Sequence, residues 1–530
     1  MIRIRQIKIP VEKDNIQELR NKICKKIKCS DKDIINIKLS KKSLDARNKP
    51  NLYYIYEVDI KISNEEKVLK RNIKNNDILK TPIEEYQLPK LGNKKLKQRP
   101  IIIGSGPAGL FSAYLLAELG FNPIIIERGE PVEDRTKTVE HFWNTGELNK
   151  NSNVQFGEGG AGTFSDGKLN TLVKDKDYRM KKVFEIFIKC GANPEILYIH
   201  NPHIGTDVLR NVIKNMREYI IAMGGTFLYN TCLTNLVIKD NQITGIEINN
   251  KDTIATEVLI LAIGHSARDT FEMIHQNNIT LEPKPFAIGL RVQHPQSMID
   301  KNQYGENYNK SLPPASYKLT YQASNGRGVY SFCMCPGGYV VNASSEKGRL
   351  AINGMSYHER NSTNANSAIV VTVSPEDYGY NPLDGMNYQR KLEEKAYNLG
   401  NGNIPIQLLK DFHNNVENSN LGNITPIFKG NYKITNLNNL LPEEIALALK
   451  EAFPNFDKKI KGFNQDYAIL AGIETRTSSP IRITRNDNLE SINVKGIYPC
   501  GEGAGYAGGI TTSAMDGLKV AESIIKKYTY

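Results

Sequence analysis

The sequence predicts an α/β protein. A discontinuous Rossmann-like nucleotide-binding domain holds an inserted α+β domain, and a small basic α+β domain precedes both. A strand, a glycine turn and a helix follow one another from Ile101, in the order of a dinucleotide-binding unit. A second glycine turn begins at Gly501 in front of another helix, so segments far apart in the chain contribute to one domain. Positive charge is concentrated in the first 100 residues, which sets the N-terminal part apart.

Length and composition limit the class of protein. A chain of 530 residues is too long for one compact core and fits two or three domains. With 40% hydrophobic and 24% charged residues, it has the composition of a globular protein. The most apolar stretch, 101–126, is interrupted by glycine and proline, and residues 1–15 contain no apolar signal region. We therefore expect no membrane partner, a cytoplasmic protein, and reduced thiols for its seven cysteines.

The predicted basic module spans residues 1–97. Residues 1–100 contain 26 Lys and Arg against 13 Asp and Glu, and this excess accounts for the whole net charge of +12. Such a surface suits RNA or an acidic electron carrier, and it equally suits a solvated lysine face. Residues 63–98 are polar and Lys-rich and are predicted to be a connection. The predicted elements of a ferredoxin-like unit are strand 2–9, helix 15–28, strand 34–39 and strand 53–62.

The unit that begins at Ile101 has the spacing of a nucleotide-binding turn. An apolar strand leads into the turn, 110–119 have helical spacing, and a second strand over 122–126 ends at Glu127. The first glycine allows a tight turn, the second lets the backbone approach a pyrophosphate, and the third lets the helix pack on the strand. Glu127 lies where a carboxylate would bind a ribose hydroxyl, and Arg128 beside it would suit a 2′-phosphate. The turn consists of Gly104, Ser105, Gly106, Pro107, Ala108 and Gly109.

Two further glycine-rich segments follow. Residues 157–167 match the same letters, but no helix start follows them, so we interpret them as a loop of N–H groups along a cofactor. An ordinary flexible loop is the alternative. The turn 501–509 lies between a strand and a helix over 510–526, and two such distant cradles predict one long ligand that both contact. The loop residues expected at the cofactor are Gly159, Gly160 and Ala161.

The segment between the glycine turns contains a helix over 206–222 and then short β-strands. Strands over 226–229, 233–238 and 242–248 predict a three-stranded meander. A buried strand over 258–264 then returns the chain to the parallel sheet.

Taken together, these segments resemble bacterial FAD-dependent dehydrogenases of the glutathione-reductase-like flavoprotein superfamily. The resemblance covers residues 98–530, and the N-terminal module is similar with less distinctive residues. The segments that carry it are GSGPAG, IIIER, FGEGGAGTFSDGKL, LILAIGHSARDT, GIETRTSSP and YPCGEGAGYAGGITTSAMDG.

This resemblance implies FAD as the cofactor. Gly104, Gly106, Gly109 and Glu127 match the motif for the AMP half. The resemblance implies that the backbone of Leu233 meets adenine and that Gly264 is the glycine at a strand end. Gly501 and Glu502 stand where many relatives bind the ribityl and pyrophosphate region, although those relatives have Asp in place of Glu502. The helix start that would face the flavin pyrimidine ring consists of Gly509, Ile510 and Thr511.

The chain is predicted to divide into an FAD-binding domain, 98–285 with 466–530, and a substrate domain, 286–465. Glu474 and Arg476 lie where the chain re-enters the FAD-binding domain. They are the candidate catalytic residues, Glu474 for proton transfer and Arg476 for binding an anion. A salt-bridged junction loop is the alternative interpretation.

Two other features leave their chemistry open. Cys333 and Cys335 suit either a redox pair or packing. No metal-ligand spacing and no second unit for NAD(P)H is present, so electrons are expected from a transiently bound NAD(P)H or from an acidic carrier.

The predicted function is that of an FAD-dependent oxidoreductase, a dehydrogenase or reductase, that transfers hydride between the flavin and a small-molecule substrate. Two alternatives remain at this point. One is a flavin-dependent enzyme that modifies nucleic acid through its basic module, and the other is a non-catalytic flavin-bearing protein.

Overall fold

A five-stranded parallel sheet lies at the centre of the nucleotide-binding part of the protein. The computed structural model describes residues 1–417, 420–422 and 424–530. The sheet joins strands from both ends of this part, because a strand near the C-terminus pairs with the strand 259–261. Its strands, in spatial order, are Ile497–Pro499, Leu259–Leu261, Ile101–Ile103, Ile124–Ile126 and Thr226–Leu228.

Two layers cover this sheet, because successive strand residues point to opposite faces. Ile102 packs with the helices Pro107–Glu118 and Ile510–Lys527, whereas Ile101 and Ile103 pack with the meander. The strands of the meander are Leu233–Lys239, Gln242–Ile248 and Asp252–Ala255.

One of the three strands predicted for the meander belongs to another sheet, so this part of the prediction was wrong. Thr226–Leu228 pairs in parallel with Ile124–Ile126, so it is the edge strand of the central sheet. The third strand of the meander is Asp252–Ala255, which pairs with Gly245–Ile248. Short strands of this kind have similar patterns, and only the long-range pairing distinguishes their sheets.

A seven-stranded sheet forms the core of the inserted part. Its strand Ile469–Glu474 pairs with Phe286–Pro295, so the sheet extends beyond the predicted boundary at 466. The reason is apolar burial, since every residue of Ile469–Glu474 is buried in this core. In spatial order the strands are Thr320–Gln322, Gly328–Cys335, Asn364–Val373, Phe286–Pro295, Ile469–Glu474, Ile404–Leu408 and Tyr432–Ile434.

The N-terminal unit has the element order of a ferredoxin-like fold, with helices Ile16–Ile27 and Glu65–Arg71. It contacts the rest of the chain directly: the amide of Lys42 donates to the carbonyl of Tyr198 at 2.6 Å. The connection expected over 63–98 is in part structured, because it contains the second helix and two short strands, Ile78–Lys80 and Lys94–Lys95. The strands in spatial order are Ile34–Asp45, Tyr53–Ile62, Ile2–Pro10 and Ile78–Lys80.

Further helices and small sheets complete the described elements. Within the described residues, no helix is both long and apolar enough to cross a bilayer. Further helices are Val132–Thr145, Arg179–Lys189, Thr206–Ala222, Arg268–Gln276, Gln296–Tyr304, Pro375–Tyr378, Asp384–Gly400, Leu409–Asn414 and Glu443–Asp457. Small sheets pair Leu281–Pro283 with Ile481–Ile483, Lys94–Lys95 with Tyr528–Thr529, and Tyr339–Asn342 with both Ile352–Met355 and Phe428–Lys429.

Candidate functional site

One cavity of about 570 Å³ connects both glycine turns with two strands of the seven-stranded sheet, Gly328–Cys335 and Ile469–Glu474. It lies at the carboxyl ends of the parallel strands, where ligands of open α/β sheets bind. Glu474 and Arg476 also line it. The predicted cofactor residues on its wall are Gly104, Gly106, Pro107, Ala108, Glu127, Arg128, Gly160, Ala161, Leu233, Gly264, Glu502, Gly509 and Ile510. The predicted residues behind the wall are Ser105, Gly109, Gly159, Gly501 and Thr511.

The glycines of the first turn have different roles: some are required for packing, and others leave space for a ligand. Gly104 has a φ of +93°, a conformation that glycine adopts without strain. A Cβ on Gly109 would lie 1.9 Å from the carbonyl oxygen of Gly104, so Gly109 is required for close helix–strand packing. A Cβ on Gly106 would meet only the Cα of Gly160, at 3.7 Å. The second helical residue, Ala108, presents an N–H without an intrahelical acceptor at the cavity.

Glu127 joins three backbone segments around the turn. One carboxylate oxygen accepts from the amide and hydroxyl of Ser105, at 2.9 and 2.7 Å. The other accepts from the amides of Gly129 and Gly157, at 2.9 and 3.0 Å. With the side chain buried and four acceptor positions in use, the structure shows an anchoring role. The ribose contact of Glu127 stays a prediction.

Arg128 is paired within the protein. Its guanidinium donates to both carboxylate oxygens of Asp269, at 2.8 and 3.1 Å, and to the hydroxyl of Thr270. It also lies 4.4 Å from the ring centre of Phe156. This arrangement holds Arg128 on the wall beside Glu127.

A fully buried arginine that the sequence did not mark, Arg135, holds the loop 157–162. Its guanidinium donates to backbone carbonyls of this loop and of the preceding turn, including those of Gly157, Glu158 and Gly160 at 3.2, 2.6 and 2.9 Å. Burial lowers the pKa of Arg135 to about 9, and the carboxylate of Glu127 counteracts this effect. No local signal separates Arg135 from a surface residue of its helix.

The same loop contacts the first glycine turn. The amide of Gly159 donates to the carbonyl of Ser105 at 2.9 Å, and a Cβ on Gly159 would lie 2.2 Å from the hydroxyl of Thr163. Gly159 therefore packs inside the loop, whereas Gly160 and Ala161 face the cavity.

The last glycine turn also combines packing and cavity positions. The amide of Gly501 donates to Asp516 at 2.8 Å, and a Cβ there would lie 2.6 Å from the Cβ of Ala108. The hydroxyl of Thr511 donates to the carbonyl of Leu169 at 2.8 Å, so this side chain holds a neighbouring segment. Glu502 faces the cavity, 3.4 Å from a ring nitrogen of His265.

Both candidate catalytic residues form buried ion pairs. Glu474 accepts from Arg291 at 3.0 and 3.1 Å. Arg476 donates to both oxygens of Glu393, at 2.9 and 2.8 Å. Its remaining guanidinium nitrogen, Nη1, donates to the hydroxyl of Ser345 at 2.6 Å. These ion pairs are the contacts expected if the segment is a salt-bridged junction loop, which was the alternative interpretation of the sequence. The roles in proton transfer and anion binding stay predictions.

Glu393 connects the junction to the helix Arg268–Gln276 of the nucleotide-binding part. It also accepts from Arg268, at 2.7 Å on each oxygen. Burial alone would raise the pKa of Glu393, but the charges of Arg268 and Arg476 hold it well below its usual range. A carboxylate between two guanidinium groups fixes Arg476 in place.

The wall of the cavity fits an elongated dinucleotide such as FAD. A Cβ on Gly264, Gly508 or Gly509 would meet nothing within 4 Å, although all three residues line the cavity. Two helices begin at this wall, at Pro107 and Ile510, and their N-termini favour phosphate or other negative charge. Within residues 1–417, 420–422 and 424–530, no group of three or more His, Cys, Asp or Glu residues could hold a metal ion.

Comparison with known proteins gives two family matches, one over an internal segment and one over the N-terminal residues. Residues 285–477 match the family described as FAD-dependent protein, C-terminal domain-like. Residues 1–61 match a family described as a domain of unknown function. An uncharacterized protein of Clostridium beijerinckii is 50% identical over 532 residues, which cover 99% of both chains.

Solved structures with a similar course of the chain include glycine oxidase of Bacillus cereus and L-proline dehydrogenase of P. horikoshii. The oxidase is 12% identical with a TM-score of 0.31, and the match covers 81% of this chain and 95% of the oxidase. The dehydrogenase is 15% identical with a TM-score of 0.33, and the match covers 82% and 94%.

Proposed function

We infer from two findings that FAD is the cofactor: this chain belongs to one family with the clostridial protein, and residues 285–477 match the C-terminal domain-like family of FAD-dependent proteins. From that premise we propose that the protein is an oxidoreductase that transfers hydride between FAD and a small-molecule substrate. The single observation that supports this proposal is the shared cavity. It runs from the first glycine turn to Ile510 and on to the edge of the inserted sheet.

Residues of this chain would hold FAD in two places. Ala108 and the loop at Gly160 lie where they would contact the pyrophosphate half, and Gly509 and Ile510 would contact the flavin half. Bound FAD supplies the two-electron chemistry. The helix that begins at Ile510 favours negative charge next to its N-terminus.

The substrate would bind at the end of the cavity that the inserted sheet forms. Lys168, Cys333, Asn353 and Glu474 lie on that wall. Its one lysine, Lys168, pairs with Asp166 at 3.6 Å, but Arg360 also donates to Asp166. Two cations thus share one carboxylate, and this excess of positive charge supports a substrate with an anionic group. As electron donor we propose NAD(P)H or an acidic carrier that meets the basic N-terminal unit.

Replacing one glycine tests the binding of FAD. Gly264 and Gly146 both have a left-handed φ, +71° and +81°, and open space for a Cβ, but only Gly264 lines the cavity. We expect Gly264→Ala to lower FAD affinity at least tenfold, because its methyl group occupies space that FAD needs. Equilibrium titration of the apoprotein with FAD, followed by flavin fluorescence, measures this effect.

The matched control is Gly146→Ala, which introduces the same backbone strain at a helix end away from the cavity. It should bind FAD as the unmodified protein does. Equal affinity losses in both variants, or no uptake of FAD by the unmodified protein, would contradict the proposed site. Anaerobic reduction of the loaded protein with NADH, NADPH or reduced ferredoxin then identifies the donor, and a flavin that none of these reduces would contradict the proposed donors.

A further inference from the structure

Two cysteines lie next to the cavity in an irregular strand. In Gly328–Cys335, Phe332 pairs with Ala368 but Cys335 pairs with Asn366, so one extra residue is inserted. Such bulges redirect side chains and are frequent beside active sites. Cys333 has a φ of +46°, a conformation that costs a residue other than glycine about 1–2 kcal/mol. The bulge therefore turns Cys333 towards the cavity at an energetic cost.

The two thiols occupy different positions on the wall. Cys333 is partly exposed and lines the cavity, whereas Cys335 is fully buried behind it. The thiol of Cys335 donates to the carbonyl of Cys333 at 3.3 Å. Arg291 donates to the same carbonyl at 3.2 Å. One thiol is thus accessible, and its neighbour is protected from solvent.

Surrounding charge favours a thiolate at the accessible position. The hydrogen bond from Cys335, with the positive charges of Lys168 and Arg291, lowers the pKa of Cys333 to about 6, although burial and Glu474 oppose this shift. The interaction with Cys333 and burial raise the pKa of Cys335. An accessible thiolate beside a protonated thiol is the arrangement of an attacking and a resolving cysteine.

We propose that Cys333 and Cys335 form a thiol–disulfide exchange centre for small disulfides that enter the cavity. The thiolate of Cys333 attacks one sulfur of the small disulfide, which forms a mixed disulfide and releases one thiol. The sulfur of Cys335 then attacks that of Cys333 and breaks the mixed disulfide, and the proton of Cys335 passes to the departing sulfur, which leaves as the second thiol. Overall, two cysteine thiols are oxidised to one intramolecular disulfide and one small disulfide is reduced to two thiols.

This inference does not depend on the proposed function, because exchange with a disulfide requires no cofactor. The neighbourhood of the pair also disfavours a metal site, since no third ligand group lies with these cysteines among the described residues. A second cysteine pair provides a contrast. Burial and the neighbouring thiol of Cys24 raise the pKa of Cys29 to about 12, so Cys29 is a poor attacking thiol.

The test uses the full-length apoprotein and 2-hydroxyethyl disulfide, a small uncharged probe. After exposure to the probe, free thiols are alkylated and mapped by mass spectrometry. We expect the unmodified protein to lose two alkylation sites, Cys333 and Cys335, joined as one disulfide. Cys335→Ser should stop at the mixed disulfide and carry one probe adduct on Cys333, whereas Cys333→Ser should carry none.

The matched control is the double variant Cys24→Ser and Cys29→Ser, which should still lose the same two sites. The proposal is overturned if Cys333 and Cys335 of the unmodified protein both stay alkylatable, or if Cys335→Ser gains no adduct. The unmodified protein decides the first outcome, so a variant that fails to fold leaves the test intact. Loss of FAD binding would overturn the proposed function alone.

Discussion

The charged residues that line the cavity form hydrogen bonds and ion pairs with other residues of the protein. Glu127 anchors three backbone segments, and Glu474 and Arg476 are paired with Arg291 and Glu393. The sequence predicted that Glu127, Glu474 and Arg476 lie at the site, and all three line the cavity. Their partners lie far away in the chain, with 183 positions between Arg291 and Glu474, so no local pattern could reveal them.

The pH dependence of alkylation tests the surroundings of Cys333. Since only the thiolate reacts, its normalised rate should rise with pH through a midpoint near 6 and then level off. In Cys335→Ala the midpoint should move up towards the ordinary cysteine value of about 8.5, because residue 335 then has no side-chain hydrogen-bond donor. Rates with iodoacetamide, resolved by mass spectrometry, give both curves. A midpoint near 8.5 in the unmodified protein would contradict this prediction.

Arg135 is the buried cation whose loss should disturb the cavity most directly. Arg135→Lys keeps the charge but loses the planar fork that reaches the carbonyls of the loop, so we expect a loss of about 3 kcal/mol in the free energy of unfolding. FAD affinity should fall with it, since the loop residue Gly160 lines the cavity. Chemical denaturation and FAD titration measure the two effects.

Arg210 provides the matched control for this variant. Arg135 and Arg210 both lie 4.9 Å from the ring centre of Phe164, but only Arg135 donates to the loop carbonyls. Arg210→Lys should therefore change the free energy of unfolding by less than about 1 kcal/mol. Similar losses in the two variants would show that stacking on Phe164, rather than the carbonyl contacts, is what matters.

At the scale of elements, the two helices of the cavity wall are packed unusually closely. A Cβ on Gly517, in the last helix, would lie 2.3 Å from the carbonyl oxygen of Ala108 in the first. Both helices were predicted from their glycine turns and apolar spacing. The requirement for glycine at 517 was not, because it arises from contact between segments that lie about 400 positions apart in the chain.

Gly517→Ala tests this helix contact, because the contact determines whether the variant is more or less stable than the unmodified protein. In an isolated helix, replacing glycine by alanine would stabilise the helix by about 1 kcal/mol. In this protein the extra methyl group must push the two helices apart, which destabilises the folded state by about 1–3 kcal/mol. We expect a lower melting temperature and weaker FAD binding. Lys519→Ala, at an exposed position of the same helix, should change neither. A stabilised Gly517→Ala protein would contradict the packing.

At the scale of the whole molecule, the N-terminal unit is connected to the last helix through buried contacts. Glu522 accepts from Tyr86 at 2.9 Å and from Arg179 at 2.8 and 2.6 Å. The connection over 81–93, which holds Tyr86, contains no helix or strand. These contacts fix the basic unit beside the nucleotide-binding part, and its proposed partners stay untested.

Glu522→Gln tests this connection. Loss of the charge weakens two hydrogen bonds to Arg179 and one to Tyr86, at a cost of about 2 kcal/mol. Limited proteolysis within 81–93 should become several-fold faster. The control is Asp177→Asn, since Asp177 also pairs with Arg179, at 2.7 Å, but is mostly exposed and should contribute less than about 1 kcal/mol. Equal proteolysis rates in both variants would contradict the role of Glu522.

The sequence by itself determined the glycine turns and the helices that follow them. A turn of this kind depends on residues next to one another in the chain, such as Gly104 and Ala108, and on the N–H groups that a helix start exposes. The folded structure fixes which strands share a sheet, as for Thr226–Leu228, and which charged groups are buried, as for Arg135. Pairing and burial depend on contacts between distant segments, so they are fixed only when the chain has folded.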